Sequence, residues 1–311
     1  MRRMLFLIKI IRSDMALQKK TFRTRALTAV VFAVIMIAGL FWTPFAFLFL
    51  FTIIHFGCWW EFLNLVERIY RTSIHYYIRM GMMVMGYGIM LWFADDVFNI
   101  NNYSLKDNIS LAVSAAGFAL TLFGIFQKQM MRVKHFLAML TGLIYISVCW
   151  GLMLDLYSVV STFYFPKAPP LPVNVIGVLP PVIVFTIWIN DTMAYIVGSF
   201  IGKTPLSSIS PKKTWEGTLG GIILAVVVSS AAILLFFDFS RALLWYHWIM
   251  ISAFTAIAGT CGDLLESKLK RLAGVKDSGS FLPGHGGFLD RFDSLLLAIP
   301  FVWLYVRFFV H

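Results

Sequence analysis

The chain has 311 residues, of which 59% are hydrophobic and 13% charged, and a formal net charge of +11. Repeated apolar runs long enough to cross a hydrocarbon core of about 30 Å exclude an ordinary soluble domain and define a multi-span membrane protein. The positive charge needs no nucleic-acid partner, because basic loops facing anionic headgroups produce it.

Residues 1–25 read as a basic interfacial segment, in which Met4, Leu5, Leu7, Ile8, Ile10 and Ile11 alternate with Arg3, Lys9 and Arg12. That pattern suits a helix lying in the headgroup plane. Its apolar run is too short and interrupted for a cleaved signal, so the first span is expected to be an uncleaved anchor. The apolar runs then predict helices at 26–41, 44–60, 80–94, 109–126, 136–154, 174–190, 217–237, 244–262 and 294–310. Because lipid offers no partner to an unpaired amide, the expected fold is all-α, a polytopic bundle of about nine transmembrane helices. The first two share a turn at Thr43 and Pro44 and the third is short, which leaves open a hairpin that never fully crosses. A cytoplasmic N-terminus places every Lys and Arg on the cytoplasmic side except Lys106, Lys167, Arg241 and Arg307, as the positive-inside rule requires. Cys58, Cys149 and Cys261 are far apart in apolar surroundings, without metal or disulfide spacing, and read as small hydrophobes.

Charge type divides the chain. Residues 26–170 read as mainly structural helices, and 171–311 as the catalytic portion with two cytoplasmic polar loops. The join lies at the proline-rich stretch from Phe165 to Pro172. No internal repeat is visible, which counts against a transporter built from inverted halves.

Three polar clusters fall on one membrane face. The first closes the sixth span, where Asp191 follows Asn190 after a helix kinked by Pro180 and Pro181; Asp191 there binds a cation, bonds a ligand or caps a helix. The second is Lys212, Lys213 and Thr214 before the seventh span. Paired lysines at a helix N-terminus suit phosphate, although a capping Thr with ordinary juxtamembrane charge reads equally well. Gly198, Gly202, Lys203 and Thr204 imitate a phosphate-binding loop, but with three residues between the glycines instead of four.

The third cluster is the densest. Asp263, Ser267 and Lys270, with Glu266 and Arg271, fall at helical intervals on a helix leaving the membrane. A glycine-rich loop with His285, Gly286 and Gly287 follows, whose small residues let backbone amides approach a ligand. Asp290 and Asp293 then stand three apart as the ninth span begins. A helical hairpin could bring Asp263, Asp290 and Asp293 together, and three such carboxylates require a counter-charge. Oxygen-only ligands favour magnesium completed by substrate phosphates. Lys268, Lys270, Arg271, Lys276 and Arg291 would offset a polyphosphate, so phosphoryl or nucleotidyl transfer is the expected chemistry. The bland alternative is a salt-bridged cytoplasmic loop.

The run "SKLKRLAGVKDSGSFLPGHGGFLDRFD" resembles the signature of the phosphatidate cytidylyltransferases, also called CDP-diacylglycerol synthases. The resemblance continues upstream through "GDLLES", "SPKKTWEG" and the stretch from Asp191 to Gly198. It implies the reaction of CTP with phosphatidate to give CDP-diacylglycerol and pyrophosphate, with Mg2+ at two divalent sites and a monovalent ion as an optional companion. By motif position Asp263, Asp290 and Asp293 would be the metal-centre carboxylates, with Lys270 and Arg271 beside them in catalysis. Asp191, Lys212, Lys213, Thr214, Ser267, Lys276, Asp277, His285, Gly286, Gly287 and Arg291 would be substrate-binding. The resemblance also implies a homodimer, for which no residue marks an interface. The short N-terminus without an organelle-type presequence suggests a bacterial cytoplasmic membrane, with the site facing the cytoplasm. Two rivals stand beside this reading. A CDP-alcohol phosphotransferase needs Asp-Gly where this chain has Gly262-Asp263, and aspartates four apart instead of three. A lipid-binding scaffold or transporter predicts binding without turnover.

Overall fold

The computed structural model describes residues 26–101, 103–127, 133–162, 177–238, 240, 243–281 and 286–310. The interfacial segment expected at 1–25, the proline-rich join and His285 lie outside the described residues.

Nine helices are present among them: α1 Ala26–Phe41, α2 Pro44–Tyr70, α3 Tyr76–Leu91, α4 Lys106–Phe126, α5 Val133–Ser158, α6 Leu179–Ile201, α7 Trp215–Phe236, α8 Trp245–Leu272 and α9 Leu289–Phe309. All except α1 and α3 are long and apolar enough to cross a membrane. α1 rises only about 24 Å, less than the hydrocarbon thickness. The turn between α1 and α2 forms at the expected place. Thr43 caps α2 by accepting the Ala46 amide at 3.0 Å, and Pro44 takes the first helical position, where its missing N–H costs nothing.

Apolar runs mark where these helices resemble lipid, not where they end. α2 continues past residue 60 to Tyr70, α8 past 262 to Leu272, and α9 starts at Leu289 instead of 294. The extra turns are built of Glu, Lys, Arg and Leu, which are strong helix formers. α2 finally stops at Arg71, in the left-handed conformation with φ 49.

α6 packs along α7, and α8 along α9, through small residues. Without a hydrophobic force between helices in lipid, close backbone approach supplies the contact. A methyl group at Gly262 would fall 2.5 Å from the Asp293 carbonyl oxygen, so the glycine presses α8 against the first turns of α9. α1 docks by aromatic contacts, with Phe32 5.9 Å from Phe292 of α9 and 6.4 Å from Trp188 of α6.

A short antiparallel hairpin, β1 Pro205–Ser207 and β2 Ser210–Thr214, joins α6 to α7. It was not expected from the sequence, because the helix-rich context hides a strand this brief.

At the opposite end of the bundle, Asp155 of α5 accepts Trp303 Nε1 at 2.6 Å and Arg307 Nη2 at 3.3 Å, both from α9. Asp155→Ala leaves the indole donor unpaired and should cost about 1–3 kcal/mol. A thermal midpoint in detergent that equals wild type would show that this contact does not hold α5 to α9.

Candidate functional site

Glu216, in the first turn of α7, builds the local frame by accepting the amides of Lys203 at 3.1 Å and Thr204 at 3.2 Å, together with the Thr204 hydroxyl. The amides that a phosphate-binding loop would present are therefore committed to a carboxylate. This agrees with discounting the imperfect glycine spacing. Thr214 caps α7 through the Gly217 amide at 3.2 Å, the structural role the sequence left open for it. Preceding it on β2, Lys212 and Lys213 leave the strand on alternate sides. Lys213 forms an ion pair with Asp263 of α8.

The turn of the chain encloses a cavity of about 380 Å3, lined among others by Asn190, Asp191, Lys212, Lys213, Thr214 and Asp263. Residues from all three sequence clusters thus share one cavity. Asp263 Oδ1 also accepts the Ser267 hydroxyl at 3.3 Å, one helical turn on. Asn190 donates to Thr260 Oγ1 at 3.3 Å, while its buried Oδ1 has no hydrogen-bond partner among the described residues. An unpaired buried carbonyl carries the full cost of lost hydration, so this oxygen is suited to a ligand.

Asp293, 7% exposed, does not line this cavity, and its Oδ1 accepts the Ser294 amide at 2.6 Å. It is close enough to interact electrostatically with Asp263 and Asp191. Asp290 is occupied differently. Its Oδ2 accepts Ser278 N at 2.9 Å, Ser278 Oγ at 3.0 Å and Gly287 N at 2.8 Å, and its Oδ1 faces Lys270 Nζ at 2.6 Å. Lys270 also pairs with the fully buried Glu266 one turn earlier on α8. The structure therefore leaves Asp263 and Asp293 within electrostatic range but without a shared contact, and gives Asp290 to the glycine loop and a lysine.

That loop is held from below by a residue the sequence reading did not select. Glu61 of α2 is 5% exposed and accepts the amides of Phe288 and Leu289, each at 2.9 Å, and the Ser278 hydroxyl at 2.7 Å. A carboxylate at a helix N-terminus satisfies orphan amides and the positive end of the dipole. Gly279 and Gly287 pack against it so closely that a Cβ on either would collide with the carboxylate. Gly286 adopts φ 86, a conformation that favours glycine.

The remaining expected residues are dispersed. Arg291 is exposed beside Asp191 at a second cavity. Arg271, Lys276 and Asp277 lie exposed on the last turn of α8 and the loop beyond it, and do not line the 380 Å3 cavity. Glu266 and Asn190, named in the sequence clusters without a role of their own, join Glu61 as polar groups of the site. Nothing local marked Glu61, which stands at the end of an apolar run with Glu67 further along the same helix.

Among the described residues no three His, Cys, Asp or Glu side chains are already gathered as a cation site. The donor chemistry nevertheless fits a hard divalent ion, since Asp263, Asp293, Asp191 and the unpaired Asn190 carbonyl all offer oxygen.

Fold and site together define a helical integral membrane protein with an acid-base cluster where its helices leave the apolar zone. A family model described as the cytidylyltransferase family matches residues 23–309, and the chain belongs to that family. Similar proteins include the phosphatidate cytidylyltransferase of Bacillus subtilis (strain 168), 44% identical over 124 residues, which are 40% of this chain and 45% of the relative. The protein of that name from Synechocystis sp. is 40% identical over 149 residues, 46% of this chain and 48% of the relative. That from Staphylococcus saprophyticus is 47% identical over 115 residues, 37% and 43%. In each case the match spans less than half of the relative's length.

Removing the Glu61 carboxylate tests the loop's support. Glu61→Ala leaves the Phe288 and Leu289 amides unpaired, while the Ser278 hydroxyl keeps Asp290, and should cost about 2 kcal/mol or more. Limited proteolysis should then cut first between Gly274 and Phe288, while Glu61→Gln, which keeps an acceptor, is protected in part. Equal protection of wild type and Glu61→Ala would deny the carboxylate this role.

Proposed function

We propose that this protein transfers a cytidylyl group from CTP to phosphatidate, giving CDP-diacylglycerol and pyrophosphate for phospholipid synthesis. The observation that carries the reading is the shared cavity, in which Asp191 of α6, Lys212 and Lys213 of the hairpin and Asp263 of α8 meet. Asp191 also lines a neighbouring cavity of about 430 Å3 with Arg291 and the apolar Phe32, Ala33 and Trp188. One polar cavity suits a nucleotide triphosphate, and the adjoining half-apolar one suits a phosphate attached to hydrocarbon. Family membership and the names of the similar proteins support the same substrates.

In this reaction an oxygen of the lipid phosphate attacks the α-phosphorus of CTP in line. The bond from that phosphorus to the β-phosphate bridging oxygen breaks, and pyrophosphate leaves. An ionised lipid phosphate is itself the nucleophile and needs no general base. Lys212 and Lys213 would hold the triphosphate against the N-terminus of α7, where the dipole favours anions. Arg291 would take the lipid phosphate by two parallel hydrogen bonds. Asp263 and Asp293, with Asn190 Oδ1, would hold Mg2+, which when bound neutralises charge developing on the phosphates. Asp290 would join them only after exchanging Lys270, and Asp263 only after exchanging Lys213. Both ammonium groups would then be released toward the phosphates, so cation and substrate binding reinforce each other. Glu61 positions the loop, and Glu266 holds Lys270 ready for that exchange. A cytoplasmic membrane, with this cavity facing the nucleotide pool, and a homodimeric state belong to the same proposal, which the family resemblance supports.

The purified protein, given labelled CTP, phosphatidate and Mg2+, should release pyrophosphate and form a CDP-lipid. Chelation of divalent cations should stop turnover and added Mg2+ restore it. Asp293→Asn should lower turnover about 100-fold while the protein still inserts and folds. Transfer from a CDP-lipid to an alcohol, without CTP consumption, would instead identify an alcohol phosphotransferase. Turnover undiminished by chelation would remove the cation from the mechanism.

A further inference from the structure

Asp191 is the residue that the polar cavity shares with the one holding Arg291, so in the proposed reaction the α-phosphorus of CTP would lie close to it. An in-line displacement there sets the lipid oxygen and the departing pyrophosphate on opposite sides of that phosphorus. Arg291 marks the lipid side, and Lys213 with Asp263 the departing side. The ribose and base lie on neither axis and would leave sideways. One face of α6 continues the polar cavity in that direction, with Ala194 and Tyr195 one turn beyond Asp191 and Gly198 and Ser199 a turn further. Tyr195 is the aromatic residue among the described residues lining the cavity. It is 77% exposed and stands about 6 Å along the helix from Asp191. Its small neighbours on this face, Ala194 and Gly198, leave the space beside the ring open.

We infer that Tyr195 and Ser199 form the base-reading end of this cavity, the ring stacking on cytosine and the serine hydroxyl selecting its 4-amino group. The inference rests on the CTP reading above and adds which residues choose the base. Stacking supplies affinity without choice, because every base has a π-face. Choice comes from Ser199. Its Oγ donates to the Tyr195 carbonyl oxygen at 2.7 Å, one turn back on α6. A hydroxyl has one proton and two acceptor lone pairs, so with that proton committed the oxygen can only accept. Cytosine offers an amino donor at its 4-position, where uracil offers a carbonyl acceptor. The amino group completes the hydroxyl's bonding, whereas the carbonyl would meet lone pairs unless the serine gave up its backbone bond. A tyrosine at the membrane border also serves as an interfacial anchor. An anchor is indifferent to the nucleotide, and that difference is measurable.

Nucleotide kinetics and a labelling experiment test the inference together. Michaelis constants for CTP, UTP and phosphatidate are measured for the full-length protein in mixed micelles with Mg2+. Tyr195→Ala should raise the CTP constant about tenfold or more and leave that for phosphatidate within about twofold. Tyr195→Phe, which keeps the ring, should restore the CTP constant. Ser199→Ala should narrow the preference for CTP over UTP about fivefold. A CTP constant unchanged in Tyr195→Ala would return the ring to the role of an anchor, and an unchanged preference in Ser199→Ala would remove the serine from base selection. The second measurement needs neither a variant nor turnover. CTP carrying iodine on its base, which crosslinks on illumination to a ring it is stacked against, is photolysed with wild-type protein in nanodiscs and the adducts are mapped. Adducts at Tyr195 that CTP suppresses at lower concentration than UTP support the subsite. Adducts confined to the loop between Gly274 and Phe288, or an absence of adducts, overturn it. That map decides the matter if Tyr195→Ala is inactive. A wild-type protein that never forms CDP-lipid but labels at Tyr195 sinks the proposed reaction and keeps the base-reading site. One that forms CDP-lipid but labels elsewhere does the reverse, so the two failures are separate.

Discussion

Charge placed beside hydrocarbon must be compensated on the spot, and every part of this site is arranged around that requirement. The clearest instance is Glu61. A carboxylate buried in the bundle is tolerable only with donors on both oxygens, and the start of α9 supplies them through the amides of Phe288, its cap residue, and Leu289, its first residue. The same contact relieves the helix end, whose amides have no partner within the helix. One interaction thereby fixes where α9 begins, which in turn sets the height of Asp290 and Asp293 relative to Asp263. The Ser278 hydroxyl, shared between Glu61 and Asp290, carries that constraint into the glycine loop.

The pairing of acids with lysines follows the same rule at the catalytic end. Lys270 sits between Glu266 and Asp290, and Lys213 against Asp263. Buried pairs of this kind contribute little net stability, because desolvation offsets most of the attraction, while removing one partner strands the other. On the proposed mechanism their value lies in exchangeability. A carboxylate neutralised by a flexible ammonium can trade it for a divalent ion without passing through an uncompensated state, and the ammonium freed is the group that a phosphate needs.

The chain wrote its membrane class and its site into different kinds of signal, which is why they were legible to different degrees. Hydropathy located the helices, since lipid forces the backbone to satisfy itself within each segment. It could not locate their ends, because Glu61, Asp263 and Lys270 lie on helical turns that have left the apolar zone. Spacing along α8 put Ser267 within reach of Asp263, whereas Lys270 pairs with Glu266 and Asp290. It could not reveal that Asp290 turns to the loop, because that choice is made by Ser278 and Gly287, whose amides become donors only once the chain has folded back. Glu61 was illegible as a site residue because its partners lie more than two hundred positions away, and local periodicity carries no information over that distance. The hairpin carrying Lys212 and Lys213 was hidden for a simpler reason: a strand of five residues with paired charges has no pattern to distinguish it from a loop.

The arrangement of the cavities gives Asp191 a place that no single motif assigns. It is the residue common to the polar cavity and to the one with hydrocarbon walls, at the point where α6 passes from apolar to polar surroundings. Two substrates of opposite solubility can react only where their phosphates meet, and that meeting point has to be both wet enough for a triphosphate and open to a lipid. A negative charge there opposes phosphate from either side unless a cation accompanies it. In the proposed reaction Asp191 would thus admit the nucleotide and the lipid headgroup to the boundary only together with a cation.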